Sequence, residues 1–241
     1  MTTSKTPPAV AANPLRISLR NGQQGRLFQG DCLHILPTFP DHSVGLVVTD
    51  PPYGVNYVDR CGRTVANDDQ LDWIEPAFAE IARLLKPNRF CVSFLGWFEA
   101  ERFFSAWKRC GLSVVGNIVF SKRYASSQRS LAWHHESAML LSKGYPTMTG
   151  PPLRSVQPWK YTGNRCHPTQ KPVSAMERLI SAFGQPGEIV LDPFMGSGST
   201  LLAAADLEYP FIGIELDRKC FEMASGRVQS FVRAEEVVST C

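Results

Sequence analysis

Apolar positions along the chain follow two alternating periods. Short runs rich in β-branched residues, closed by polar or proline-containing turns, predict seven strands. They fall at Arg26 to Asp31, Ser43 to Asp50, Arg89 to Gly96, Leu112 to Lys122, Ser137 to Gly144, Glu188 to Phe194 and Pro210 to Asp217. Between them lie stretches of helical period. In Asp72 to Asn88 the apolar residues Ile74, Phe78, Ile81, Leu84 and Leu85 share a face, and Lys86-Pro87-Asn88 closes the helix. Further helices are predicted from Trp97 to Gly111, from Pro172 to Gly184, from Ser199 to Leu207 and from Arg218 onward, with a brief helical turn at Leu33 to Phe39. Strands alternating with helices imply a mostly parallel sheet covered on both faces. Residues 1–15 are small, polar and proline-rich and read as a disordered tail, which leaves 16–241 as a single domain.

Several strands end in an acid. Asp31, Asp50, Asp192 and Glu215 each stand at a predicted carboxyl end, the edge where open α/β sheets bind ligands. Asp50 opens the stretch Asp50-Pro51-Pro52-Tyr53, in which two prolines stop the strand abruptly. Asp192 precedes a loop in which Gly196 and Gly198 flank Ser197 before a helix begins. Glycines there let backbone approach a ligand at the amino end of a helix. The loop is not a Walker A motif, because no Gly-Lys-Ser/Thr follows, and the dinucleotide fingerprint is incomplete, with Leu201 at its third glycine position. Glu215 lies about twenty residues beyond, a spacing that suits a ribose diol. Asp31 suits an exocyclic adenine amine. Together these residues describe a pocket for an adenosine-containing ligand without a pyrophosphate clamp. Each acid read singly is equally an ordinary strand-ending polar residue.

Charge changes the picture once it is mapped. The chain carries +3 overall, but Arg102 to Arg178 holds twelve Lys or Arg against two acids, so this segment is +10 and the remainder −7. Such segregation points to a face that meets a polyanion. Seven scattered cysteines without a C-x-x-C pair argue for a reducing, cytoplasmic setting and against a disulfide framework or zinc ribbon. No apolar run is long enough to span a bilayer. Cys166-His167 and His134-His135-Glu136 read as loop residues rather than metal ligands, so no metal is expected.

The run from Gly30 to Gly54, the stretch His167 to Pro172 ("HPTQKP") and Asp192 to Thr200 ("DPFMGSGST") occur in that order. On these blocks the chain resembles the β-class DNA amino-methyltransferases, which modify adenine N6 or cytosine N4 with S-adenosylmethionine (SAM). The likeness is close over roughly 26–57 and 165–225 and loose between them. It implies a Rossmann-like fold with a seven-stranded, mostly parallel sheet and permuted motif order. It assigns catalysis to Asp50, Pro51, Pro52 and Tyr53. Asp50 and the Pro51 carbonyl would accept the amine hydrogens, and Tyr53 would stack on a flipped base. It assigns the cofactor to Asp31, Cys32, Asp50, His167, Thr169, Lys171, Asp192, Phe194, Gly196, Ser197, Gly198, Thr200, Glu215 and Leu216, with Thr169 and Lys171 on the SAM carboxylate. An aspartate in the first position leans to adenine, whereas serine is more typical of cytosine N4. RNA-guanine and protein-glutamine enzymes tend to carry Asn-Pro-Pro-Tyr and the opposite block order.

Target recognition is expected from three short loops, 55–69, 122–135 and 145–165. Lys122, Arg123, Tyr124, Arg129, Trp133, Arg154, Lys160 and Arg165 are the candidate contacts to double-stranded DNA. Dimers among relatives make a homodimer an expectation by analogy. With no nuclease constellation in the chain, a restriction endonuclease would be a separate partner. A catalytically silent DNA-binding subunit of the same fold is the reading from another class.

Overall fold

The computed structural model describes residues 13–54, 71–125, 130–148, 150–160 and 170–239, with side chains to residue 234. The loop 55–69 and the contacts His167, Thr169, Arg129 and Arg165 lie outside the described residues.

The strands are β1 (Leu15–Ser18), β2 (Gln24–Gln29), β3 (Val44–Thr49), β4 (Leu85–Phe94), β5 (Ser113–Ser121), β6 (His135–Lys143), β7 (Val156–Pro158), β8 (Ile189–Asp192) and β9 (Phe211–Glu215). They form one sheet in the order β1-β2-β9-β8-β3-β4-β6-β5-β7. Strands β2, β9, β8, β3 and β4 run parallel, while β1 pairs antiparallel with β2, and β6 antiparallel with both β4 and β5. The helices are α1 (Cys32–Ile35), α2 (Ile74–Leu84), α3 (Ala100–Arg109), α4 (Val173–Phe183), α5 (Ser199–Asp206) and α6 (Arg218–Ser239).

Nine strands replace the seven expected, and both additions are short and peripheral. β1 has four residues and is held by its pairing with β2. β7 lies inside the predicted loop 145–165; its only buried residue is Gln157, so it carries no apolar signal to read. It exists because its backbone pairs with β5. The boundary after α2 also moves. The helix stops at Leu84 and Leu85 already pairs with Val44 of β3, because proline at 87 disfavours a helical residue before it. Trp97–Glu99 form a 3-10 turn ahead of α3 rather than its first turn.

The sheet divides two apolar layers. One contains Leu46, Val48, Val92, Leu179, Ile180, Leu201 and Val228 and is covered by α4, α5 and α6. The other contains Val44, Val47, Cys91, Phe78, Ile81, Phe103 and Trp107 and is covered by α1, α2 and α3. Buried residues on the two faces of β3 and β4 explain why these strands read as continuous apolar runs. After β3 the chain crosses to β4 on one side; after β8 it crosses to β9 on the other. The strand order therefore reverses between β3 and β8, which opens a crevice at their carboxyl ends.

Phe78 is fully buried, with its ring centroid 5.7 Å from that of Trp107. Truncating Phe78 to alanine is expected to lower unfolding stability by about 3–5 kcal/mol. Urea unfolding measures this, and a loss below about 1 kcal/mol would mean that the α2–α3 layer tolerates a large cavity.

Candidate functional site

The crevice brings the strand-end acids together. Asp50 follows the last residue of β3, Asp192 ends β8, Glu215 ends β9, and Asp31 lies two residues beyond β2. These four strands are parallel neighbours, so their carboxyl ends form one continuous edge.

At the seam, Thr49 Oγ1 donates to Asp192 Oδ1 at 2.9 Å and the Phe194 N–H donates to the same oxygen at 3.2 Å. Asp192 is only 3% exposed. Burial pushes its carboxyl up to about 7, helped by the nearby Asp50 charge and opposed by hydrogen bonds from Thr200, Thr49 and the Phe194 backbone. Such a carboxylate gains most from a cation brought beside it.

Asp50 sits just before the prolines, with its side chain 22% exposed. The Tyr53 hydroxyl donates to Asp50 Oδ1 at 2.5 Å. Lys171 Nζ donates to Asp50 Oδ2 and forms an ion pair with it. Lys171 is buried, with its ammonium 5.8 Å from the Tyr53 ring centre and 5.0 Å from that of Phe94. Its carbonyl accepts from Ser199 Oγ at 2.8 Å, which ties the start of α4 to the start of α5. Lys171 therefore meets the Asp50 carboxylate, a contact between residues 121 positions apart that no local pattern reveals. Pro51 is buried and Pro52 half-buried. Beneath Tyr53, a Cβ at Gly96 would fall 2.7 Å from the tyrosine Cβ, so only glycine there leaves space for the ring.

The glycine loop and Glu215 form the other half. Glu215 Oε2 accepts from the Gly196 N–H and Oε1 from the Asp217 N–H, each at 2.8 Å. Burial raises its carboxyl above the usual range, against these two hydrogen bonds. Each oxygen keeps a further acceptor position for a ligand hydroxyl. Gly196 has φ +49°, and a Cβ built on it would meet nothing nearer than 4.0 Å, so this backbone borders open space. Gly198 is left-handed at φ +77° and precedes α5. Phe194 packs on Trp73, with ring centroids 4.9 Å apart. Trp73 precedes α2, and in the sequence nothing distinguishes it from an ordinary helix-face residue.

Other expected cofactor residues have structural duties. Asp31 Oδ1 accepts from the Leu33 N–H at 2.9 Å and so caps α1. The Cys32 side chain is buried in the core, where burial pushes its thiol up to about 12 and keeps it neutral. Ser197 and Thr200 are buried, and the Ser197 carbonyl accepts from Arg227 Nη1. Leu216 is 38% exposed, and its carbonyl accepts from Gln29 Nε2 at 3.1 Å.

The DNA-contact set divides. Arg123, Tyr124, Arg154 and Lys160 are exposed and Trp133 is half-buried. Lys122 is not presented to solvent: it is buried, paired with Glu136 and set 5.6 Å and 5.5 Å from the Tyr124 and Trp159 rings. Trp97 and Phe98, just past the carboxyl end of β4, are 59% and 80% exposed, and Phe98 lies 6.4 Å from the Trp133 ring. The helical period from Trp97 hides both as surface aromatics, because the 3-10 turn there leaves their rings outside. Among the described residues no cluster of His, Cys, Asp and Glu could hold a metal ion. A hollow of about 440 Å³, walled by Val115, Leu140, Leu153 and Phe183, contains none of the acids. No described helix is long and apolar enough to cross a membrane.

Comparison with known proteins places this arrangement. The DNA methylase family N6_N4_Mtase matches residues 44–226. The Escherichia coli (strain K12) protein YubD is 46% identical over 209 residues, covering 87% of this chain and 92% of that one. The type II methyltransferase M.BglII of Bacillus subtilis is 25% identical over 244 residues, covering 83% and 67%. Among solved structures, M1.HpyAVI in complex with SAM superposes with a TM-score of 0.67 at 27% identity, covering 84% of this chain and 98% of that one. The cytosine-N4-specific PvuII DNA methyltransferase has the same fold, with a TM-score of 0.67 at 16% identity, covering 87% and 91%. The fold is thus that of a SAM-dependent DNA methyltransferase, and the chain belongs to the N6_N4_Mtase DNA methylase family.

Proposed function

We propose that this enzyme methylates the N6 amine of adenine in double-stranded DNA, acting on a base flipped out of the stack. The observation that carries the reading is the Asp50 carboxylate, held beside Tyr53 at the mouth of the crevice. An acid in this position leans to adenine over cytosine by the family likeness. When bound, SAM supplies an electrophilic methyl on a sulfonium.

The residues fit that cofactor. Glu215 takes the ribose hydroxyls, Asp31 the adenine amine through its second oxygen, and Asp192 the methionine ammonium. Gly196, Ser197 and Gly198 let backbone pass close to the ligand, with Phe194 beside it.

An exocyclic amine is a weak nucleophile, because its lone pair is delocalised into the ring. Asp50 and the Pro51 carbonyl each accept one amine hydrogen, which drives the nitrogen toward tetrahedral geometry and aims its lone pair at the methyl. The methyl that SAM would supply replaces one amine hydrogen, and the Asp50 carboxylate is placed to pass the proton released by the nitrogen to water. Tyr53 stacks on the extruded base, a contact worth roughly 1–3 kcal/mol that offsets part of the unstacking cost. Arg123, Arg154 and Lys160 suit phosphates, and the exposed Trp97 and Phe98 suit bases near the mouth.

Wild-type protein incubated with SAM and unmethylated genomic DNA is expected to yield N6-methyladenine by nucleoside mass spectrometry. Asp50→Ala is expected to yield none while binding SAM within about twofold of wild type. N4-methylcytosine as the product would overturn the adenine reading and keep the catalytic one. Equal loss of SAM binding and transfer would mean that Asp50 belongs to the cofactor site alone.

A pH dependence follows from Asp192. Its folded pKa is raised to about 7, so in the free enzyme the proton is held below that pH. A cationic ammonium binds best to the ionised form, so SAM binding is expected to release a proton and to tighten as pH rises from about 5.5 to 7.5. Glu215 is raised as well, so the difference between wild type and Asp192→Asn isolates this group. Calorimetry of SAM binding should show the slope reduced in Asp192→Asn. An unchanged slope would remove Asp192 from the ammonium site.

A further inference from the structure

We propose that Lys171 is a positioning residue for the Asp50 carboxylate rather than a ligand of the cofactor carboxylate. The inference rests on the catalytic reading of Asp50 and adds a residue from the opposite half of the chain. Three observations carry it.

First, Lys171 Nζ pairs directly with Asp50 Oδ2, while the Tyr53 hydroxyl occupies Oδ1. The two carboxylate oxygens thus have different environments. Oδ2 faces a permanently tethered cation. Oδ1 faces a tyrosine whose ring is the proposed stacking surface. The oxygen on the Tyr53 side is the one that meets the target amine, and the phenol holds that acceptor position before the base arrives.

Second, Lys171 is fixed from both ends. Its side chain is 9% exposed and lies between the Tyr53 and Phe94 rings, which suits a cation and leaves it little freedom to swing away. Its carbonyl is held by Ser199 at the head of α5, and α4 begins two residues later. The glycine loop leads into the same α5, so the cofactor loop and the catalytic carboxylate are coupled through this lysine.

Third, the pair is badly suited to rearrangement. Moving the ammonium to a cofactor carboxylate would leave the half-buried Asp50 carboxylate without its cation partner, which is costly. A lysine is a point charge on a flexible stem, and packing on both rings is what turns it into a fixed orienting group here.

The test separates binding from chemistry. Lys171→Met keeps the length and apolar stem and removes the cation. It is expected to bind SAM within about twofold of wild type, while single-turnover transfer to a methylatable DNA duplex at saturating SAM falls on the order of 100-fold. Lys171→Arg, which restores a cation, should recover part of that loss. In a double-mutant cycle, adding Lys171→Met to Asp50→Asn should cost far less than it does in the wild type, because the carboxylate to be oriented is already gone. If the methionine variant melts too low to assay, Lys171→Gln carries the same comparison. Loss of SAM affinity, or transfer within about threefold of wild type, overturns the proposal. The outcome is distinguishable from failure of the functional reading. Methylation of cytosine by the wild type would leave the Lys171 claim intact, whereas wild-type transfer abolished by Asp50→Ala but indifferent to Lys171→Met would sink this claim alone.

Discussion

The hydrogen bond from Thr49 to Asp192 spans the seam where the strand order reverses, and the site depends on that seam. Parallel strands β3 and β8 lie side by side, yet the crossovers that follow them leave in opposite directions. No helix can cover the gap above both carboxyl ends, so backbone and side chains there face a crevice. Residues 143 positions apart in the chain are joined across it by one hydroxyl and one carboxylate. Weakening that clamp would separate the Asp50 end of β3 from the glycine loop that follows β8.

Charge in the crevice is arranged by contrast. Asp192 is buried at the seam and resists ionisation, while Asp50 nearby holds a cation and a phenol. Burial makes the charged form of the first costly. The second is held on both oxygens, one by the Tyr53 hydroxyl and one by the Lys171 ammonium. Glu215, raised by burial but tied by two backbone N–H groups, completes the series. Three acids of similar sequence context thereby acquire different chemistry from their surroundings.

Much of this was legible in the sequence where the signal is local. The apolar runs of β3, β8 and β9, the prolines after Asp50 and the glycines before α5 each state their structure within a few residues. The elements that escaped are made by partners distant in sequence. β7 shows one buried residue, a glutamine, and exists through its pairing with β5. Lys171 meets Asp50 across 121 positions, and only the sheet order brings them together. Lys122 belongs to a cationic loop suited to phosphates, and its burial follows from a pair with Glu136 on the neighbouring strand, which no local pattern shows. Trp97 and Phe98 followed a helical period that the 3-10 turn breaks, which leaves both rings outside.

Hydrogen–deuterium exchange of the full chain with and without SAM tests the central claim most directly, because it reads backbone amides along the whole edge at once. Slowed exchange on SAM addition is predicted at Gly30 to Leu33, Asp192 to Gly198 and Glu215 to Asp217, the ends of three adjacent strands. Protection confined to the apolar hollow beside β5 and β6, with none at these segments, would contradict the account.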